Sequence, residues 1–118
     1  LESIGCQLRD ILDTMEREGG VTIRELRVGG GLSNSDLACQ IQADVAGVTI
    51  VRAPDTETSV RAAALLAGLG AGLWPSLDAL PRLLDRRARV FEPQMGDAER
   101  AELLGRWGRA VERARGWV

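Results

Sequence analysis

The sequence predicts an α/β fold with parallel strands, on three observations. Helical and extended patterns alternate along the chain: helix, strand, helix, strand, helix, then a short tail with one more helix. That is the order of a layered α/β unit. Val48-Thr49-Ile50-Val51 is an uninterrupted β-branched run, the pattern of a strand buried on both faces in a parallel sheet. Three consecutive glycines, Gly29 to Gly31, stand at a strand-to-helix junction. There the backbone must turn tightly and can be approached closely by another group.

Each element has its own signature. Leu1, Ile4, Leu8, Ile11, Leu12 and Met15 recur at helical spacing from the first residue. The spacing predicts a first helix to about Arg17 with these side chains inward, ended by Gly19-Gly20 in a left-handed cap. Glu25 to Val28 reads as a short strand running into the glycines. A second helix starts between Ser33 and Asp36, where side-chain oxygens can accept from free backbone N–H groups. Leu37, Ile41 and Val45 mark its apolar stripe, and Gly47 closes it. Pro54 follows the β-branched strand, and a third helix is expected from about Glu57 to Leu69. Its Ala62-Ala63-Ala64 run suits close backbone packing, with Gly70 and Gly72 as the stop.

Beyond the third helix, Trp74 to Leu80 reads as a loop and a short helix opened by Ser76, with Trp74 packing against parts outside this chain. Arg89 to Pro93 reads as an extended edge piece stopped by its proline. The last helix begins after Asp97 with Leu103, Leu104, Trp107, Val111 and Ala114 on one face. Two firm strands make a poor sheet. Val48 and Ile50 are therefore expected to need covering, and an uncovered apolar strand invites pairing into a homo-oligomer. The chain reads as part of a larger protein.

Composition closes off several chemistries. The chain has 118 residues, enough for one core. Its net charge is −2, which does not favour nucleic acid. No run is apolar for long enough to cross a bilayer. There is no His and no Lys, so all 15 cationic side chains are Arg. A phosphate loop of the Walker type needs a lysine after its glycines, and histidine zinc sites and Ser-His triads need histidine. Cys6 and Cys39 fall in apolar helical patterns and read as small buried residues, not a disulfide. Asp10 and Asp13, Glu99 and Glu102, and the mixed charges of Arg82, Asp85, Arg86, Arg87 and Arg89 read as solvated faces.

The glycine loop remains. Glycines there admit a ligand to the backbone, and the helix N-terminus behind them offers free N–H groups and partial positive charge. Anionic or polar nucleotide groups suit such a place. The dinucleotide fingerprint is met only in part, since Gly29 and Gly31 match its first two glycines while Asn34 holds the place of the third.

Leu26-Arg27-Val28-Gly29-Gly30-Gly31 followed by Gln40 to Val48 resembles the carbohydrate kinases with a two-domain, actin-like (ribonuclease H-like) ATPase fold, and among them the glycerol kinases. The resemblance extends through Leu1 to Leu12, the Ala62–Leu69 helix, Gly72-Leu73-Trp74, Phe91-Glu92-Pro93 and the tail with Trp107, Val111 and Trp117. It implies that residues 1–118 are the C-terminal portion of the second, nucleotide-binding domain, with parallel strands, flanking helices and a C-terminal helix.

It further implies an enzyme that transfers the ATP γ-phosphate to glycerol or a similar polyol with Mg2+, in the cytoplasm. ATP or ADP, the polyol and the remaining kinase, including its N-terminal domain, are the implied partners; nucleic acid and membrane are not. Gly30, Gly31, Asn34 and Ser35 are the implied nucleotide-binding residues, with Gly31 expected at positive φ. No catalytic or metal-binding residue is expected in this chain, which alone would be inactive. Gly29, Ser35 and the Arg61-Ala62 pair depart from the aspartate, asparagine and Leu-Gly that the family usually shows. They leave a different sugar or polyol open. They also motivate an alternative, a non-catalytic actin-like binding or assembly module.

Overall fold

A computed structural model of the chain describes residues 1–54, 58–82 and 88–115. Its elements are α1 (Glu2–Gly19), β1 (Glu25–Val28), a 3-10 turn (Gly31–Asn34), α2 (Asp36–Ala46) and β2 (Thr49–Arg52). They continue with α3 (Thr58–Gly70), a second 3-10 turn (Leu77–Arg82), β3 (Arg89–Phe91) and α4 (Asp97–Arg115). The expected start of α3 at Glu57, the charges Asp85, Arg86 and Arg87, and Trp117 lie outside the described residues.

β1, α2 and β2 form a parallel βαβ unit in which Glu25 pairs with Thr49 and Val28 with Arg52. β3 then joins the other side of β2 in antiparallel register, Ile50 opposite Phe91 and Arg52 opposite Arg89. The sheet is therefore mixed, in the order β1-β2-β3, and the expected edge piece is a true edge strand. This third strand changes the expected exposure. β2 is central, and Val48 and Ile50 are buried within the chain itself. The apolar surface left open lies elsewhere.

α2 packs on the sheet and α1 packs on α2. The core comprises Leu12, Cys39, Ala43, Ala46, Val48, Ile50 and Phe91, with Leu8, Ile23, Leu26 and Val28 against it. Most of what α2 contributes is small: Ala38, Cys39, Ala43 and Ala46 are buried beside Val45, while Leu37 is exposed. Of the stripe expected at Leu37, Ile41 and Val45, Val45 is buried and Ile41 half-buried while Leu37 turns out, because small residues let two layers close on α2 at once.

The same closeness turns α1. A Cβ on Gly5 would lie 2.8 Å from the Cβ of Val45, so the two helices meet at glycine distance. Gly5, Cys6 and Leu12 face inward, and Leu1, Ile4, Ile11 and Met15, expected inside, stay exposed. Cys6 and Cys39 are buried free thiols, as expected.

Polar ties fasten the loops and the last helix. Arg9 donates to the Ala46 carbonyl at 3.0 Å and pairs with Asp13 and Glu16. Glu16 also accepts the Ile23 N–H at 2.7 Å, fixing the entry to β1. Asp44 accepts from the N–H of Gln94 at 2.6 Å, and Arg100 Nε donates back to the Asp44 carbonyl at 2.6 Å. Trp107 donates its indole N–H to Asp10 at 2.7 Å. Asp10 thus holds α4 to α1 and is more than a solvated charge, while Glu99 and Glu102 are exposed as expected.

The helix stops fall where glycine predicts them. Gly20 and Gly47 cap α1 and α2 at φ 63 and 67. Gly72, at φ 75, closes α3 with Leu73 N–H on the Gly68 carbonyl and its own N–H on that of Leu69, a Schellman arrangement. Trp74 folds back on α3 instead of reaching outward. Its indole N–H donates to the Leu65 carbonyl at 2.8 Å. A Cβ on Gly68 would clash with its ring. Among the described residues α3 adds nothing to the core. Among the described residues no helix is long and apolar enough to cross a membrane.

Two outcomes are expected. Gly5→Ala forces the α1–α2 contact apart and lowers stability in denaturant unfolding by about 1–3 kcal/mol; adding Val45→Ala recovers part of that loss. The Ile23 N–H, with the Arg9 guanidinium behind it, holds the Glu16 carboxyl below 4.5. A carboxyl depressed on folding stabilises above its unfolded pKa and loses that contribution as pH falls through the folded value. Glu16→Gln therefore flattens the acid limb of a stability-against-pH curve below about pH 4.5 and leaves its shape near neutrality unchanged.

Candidate functional site

The glycine loop is built from the end of β1. Gly30 lies at φ 97, ψ 175, a region that only glycine enters without strain. The chain then winds one 3-10 turn from Gly31 to Asn34. Ser33, buried, closes it: its N–H and its hydroxyl both donate to the Gly30 carbonyl, at 3.1 and 2.7 Å. Ser35 leaves the turn extended and caps α2, its Oγ accepting the Ala38 N–H at 3.2 Å. A side-chain oxygen serving the helix start was the expectation from sequence, and Ser35 is the residue that supplies it.

Gly30, Gly31, Asn34 and Ser35 thus share one turn between β1 and α2. Gly31, Asn34 and Ser35 are exposed and Gly30 is half-buried. The positive φ expected at Gly31 falls on Gly30 instead. A Cβ on Gly31 would meet open space, so what glycine provides there is access and not a turn. The first N–H groups of the turn, those of Gly31 and Leu32, have no acceptor within it. An open cleft of about 290 Å³ borders the loop, lined by Arg27, Val28, Gly29, Leu32, Ser33 and Gln42. None of the four expected site residues belongs to that lining.

Sequence reasoning missed the residues that hold the turn. Arg52 sits beside Val28 in the parallel register, and its Nη1 reaches the Ser33 and Asn34 carbonyls at 2.8 and 3.3 Å. The same nitrogen pairs with Asp36 at 2.9 Å, and Asp36 pairs with Arg89 at 2.6 Å. Both guanidiniums lie over the Phe91 ring, 5.4 and 5.2 Å from its centre. The only signal in the sequence was an arginine closing an otherwise apolar strand.

Electrostatics narrow what the turn can receive. The positive end of α2 already faces the Asp36 carboxylate and the Ser35 cap, which satisfy its dipole and first donors. Arg52 is committed to Asp36 and to two carbonyls. A phosphate would meet a carboxylate with no uncommitted cation from Arg52. A neutral, polar group with both donors and acceptors would meet backbone N–H groups, the Asn34 amide and the hydroxyl hydrogen of Ser35. The turn therefore suits a neutral polar group better than a phosphate, so of the anionic or polar groups expected from the sequence the anionic ones fit it less well. Burial pushes the Cys39 thiol up despite nearby Arg52, and its Sγ lies 3.4 Å from the Ser33 carbonyl. Among the described residues no group of three or more Cys, Asp or Glu side chains could hold a metal ion.

Comparisons with known proteins show the family and the fold. A family model for the C-terminal domain of the FGGY family of carbohydrate kinases matches residues 1–71. Glycerol kinase of Deinococcus radiodurans is 45% identical over 99% of this chain and 23% of that protein. Glycerol kinase of Aromatoleum aromaticum is 48% identical over 100% of this chain and 24% of that protein. The crystal structure of Plasmodium falciparum glycerol kinase with ADP matches with a TM-score of 0.74 and 34% identity, over 95% of this chain and 22% of that one. A xylulose kinase from Lactobacillus acidophilus shares the fold, with a TM-score of 0.64 at 22% identity over 82% of this chain and 20% of that one. The chain spans about a quarter of the length of the curated relatives it matches.

The two central glycines separate in a stability measurement. Gly30→Ala places a Cβ in a glycine-only conformation and lowers stability by about 1–3 kcal/mol. Gly31→Ala has open space and an ordinary φ, and shifts the unfolding midpoint by no more than a typical surface substitution, about 0.5 kcal/mol.

Proposed function

We propose that this chain, which belongs to the FGGY family of carbohydrate kinases, forms the adenosine side of the nucleotide site in a glycerol-kinase-like enzyme. On this reading residues 1–118 are the C-terminal portion of its second domain. Gly30 and Gly31 receive the nucleoside against bare backbone, and Asn34 and Ser35 offer the polar side chains beside it. The intact protein transfers the ATP γ-phosphate to glycerol or a similar polyol in the cytoplasm.

The observation that carries the reading is the conjunction at the loop. A turn suited to a neutral polar group stands inside a chain that matches glycerol kinases from end to end. The division of labour follows from the charges. Phosphoryl transfer needs cations at the phosphates and a base at the attacking hydroxyl. The loop offers neither, since Arg52 is neutralised and Asp36 is held between two guanidiniums. What this chain contributes is orientation: it fixes the base and sugar so that the phosphates point towards groups contributed by the rest of the kinase. ATP supplies the transferred phosphoryl group, and Mg2+, held mainly by parts outside this chain, would offset its charge.

The test is Gly31→Val in the full-length protein. The added side chain enters open space next to the turn and not the fold. It is expected to weaken ATP binding by about tenfold to a hundredfold, on the order of 1–3 kcal/mol of lost close contacts, with the melting temperature of the unliganded protein little changed. Titrating ATP into folded wild type and variant, with melts alongside, decides it. A lowered melt with unchanged affinity would mean that the loop only shapes the chain.

A further inference from the structure

Two arginines face each other across the β2–β3 pair, Arg52 opposite Arg89. Like charges placed directly across a sheet repel. Here one carboxylate, Asp36, lies between them, and the Phe91 ring underlies both. Asp36 is the first residue of α2, directly after the cap. The cluster therefore joins the ends of three elements, β2, β3 and α2, at the point where the glycine loop returns to the fold. From that point Arg52 Nη1 reaches back to the carbonyls of Ser33 and Asn34, the last two residues of the 3-10 turn.

We propose that Arg52, held by Asp36 and stacked on Phe91, is a positioning residue that fixes the glycine loop in its nucleotide-receiving shape. The inference rests on the nucleotide reading of the loop. Arg52 touches no nucleotide itself; it acts through the turn. Gly30 and Gly31 leave the turn free to take many backbone conformations. Its own hydrogen bonds fix its start, through Ser33 on the Gly30 carbonyl. Only Arg52 fixes its end to the sheet among the bonds described. Its side chain is 16% exposed, so its bond to the Ser33 carbonyl is partly shielded from water and counts for more than a surface one, while its bond to the Asn34 carbonyl is exposed. A lysine could neutralise Asp36 but is a point charge on a flexible stem, without the planar group that stacks on Phe91.

The experiment uses the full-length protein with ADP as probe, beside steady-state kinetics with ATP and glycerol. Arg52→Met is expected to raise the ADP Kd and the ATP KM about tenfold, as a misplaced binding group does. Its glycerol KM should stay within about twofold, while kcat falls together with nucleotide affinity, because a misplaced loop also misdirects the phosphates. Arg52→Lys recovers part of the affinity. Phe91→Leu, which removes the ring beneath Arg52 and keeps both arginines neutralised by Asp36, shifts ADP affinity in the same direction and decides the matter if Arg52→Met fails to fold. If both variants keep wild-type ADP affinity while Gly31→Val loses it, Arg52 does not position the loop and the inference falls alone. A fall in kcat with unchanged nucleotide affinity overturns it equally. If Gly31→Val also keeps ADP affinity, the nucleotide reading falls and takes this inference with it.

Discussion

α2 is compressed from two sides, and the rest of the fold follows from that. Its inner side must meet the sheet at Ile50 and Phe91, and its outer side must meet α1 at Gly5. A helix covered on two faces can do this only if its side chains are short. α2 accordingly presents Ala38, Cys39, Ala43 and Ala46. The thinness of this layer brings the backbone of α1 within reach of Val45 and gives Arg9 a path to the Ala46 carbonyl. It also leaves Leu1, Ile4, Ile11 and Met15 of α1 facing away, while Leu8 and Leu12 pack inward. The Cβ of a single residue at position 5 is enough to contradict the arrangement, which makes it a geometric constraint more than a sum of attractions.

This explains which parts of the fold were legible in the sequence. Punctuation was legible, because glycine caps act through local backbone conformation: Gly20, Gly47 and Gly72 stop helices where the sequence places the stops. The β-branched run of β2 and the strand before the glycines were legible for the same local reason. Helix orientation was not. Periodicity weighs Leu, Ile and Met, so it found Leu8, Leu12 and Val45 but also counted Leu1, Ile4, Ile11, Met15 and Leu37, which are exposed, and passed over the Gly, Ala and Cys that complete the packed faces. The direction of β3 and the return of Trp74 onto Gly68 depend on partners distant in the chain or on fit at a glycine, and no spacing rule contains them.

The site divides similarly. A loop of three glycines before a capped helix is a local statement, and Ser35 does cap α2. Which glycine bends and which merely leaves room was not legible; the bend lies at Gly30 and the room at Gly31. Arg52 escaped notice because its bonds to the turn span 18 and 19 residues, and because an arginine at a strand end ordinarily means solvent. The charge state of the loop was hidden too, since it depends on one carboxylate shared by two guanidiniums. Likeness along the chain leads to the carbohydrate kinases; the geometry of the turn shows only a bare backbone beside a neutralised arginine.

The attachment of α4 sets an order in which the molecule comes apart. This helix, Asp97–Arg115, has no buried residue and among the described residues is fastened at two polar points, Arg100 on the Asp44 carbonyl and Trp107 on Asp10. Apolar burial, which binds α1, α2 and the sheet into one cooperative unit, contributes little here. Opening of α4 therefore requires much less free energy than global unfolding, and its amides exchange with solvent deuterium by local release while those of β2 wait for the whole core to open. Because Trp107 leaves a carboxylate as it detaches, its fluorescence reports that first event separately from the collapse of the core.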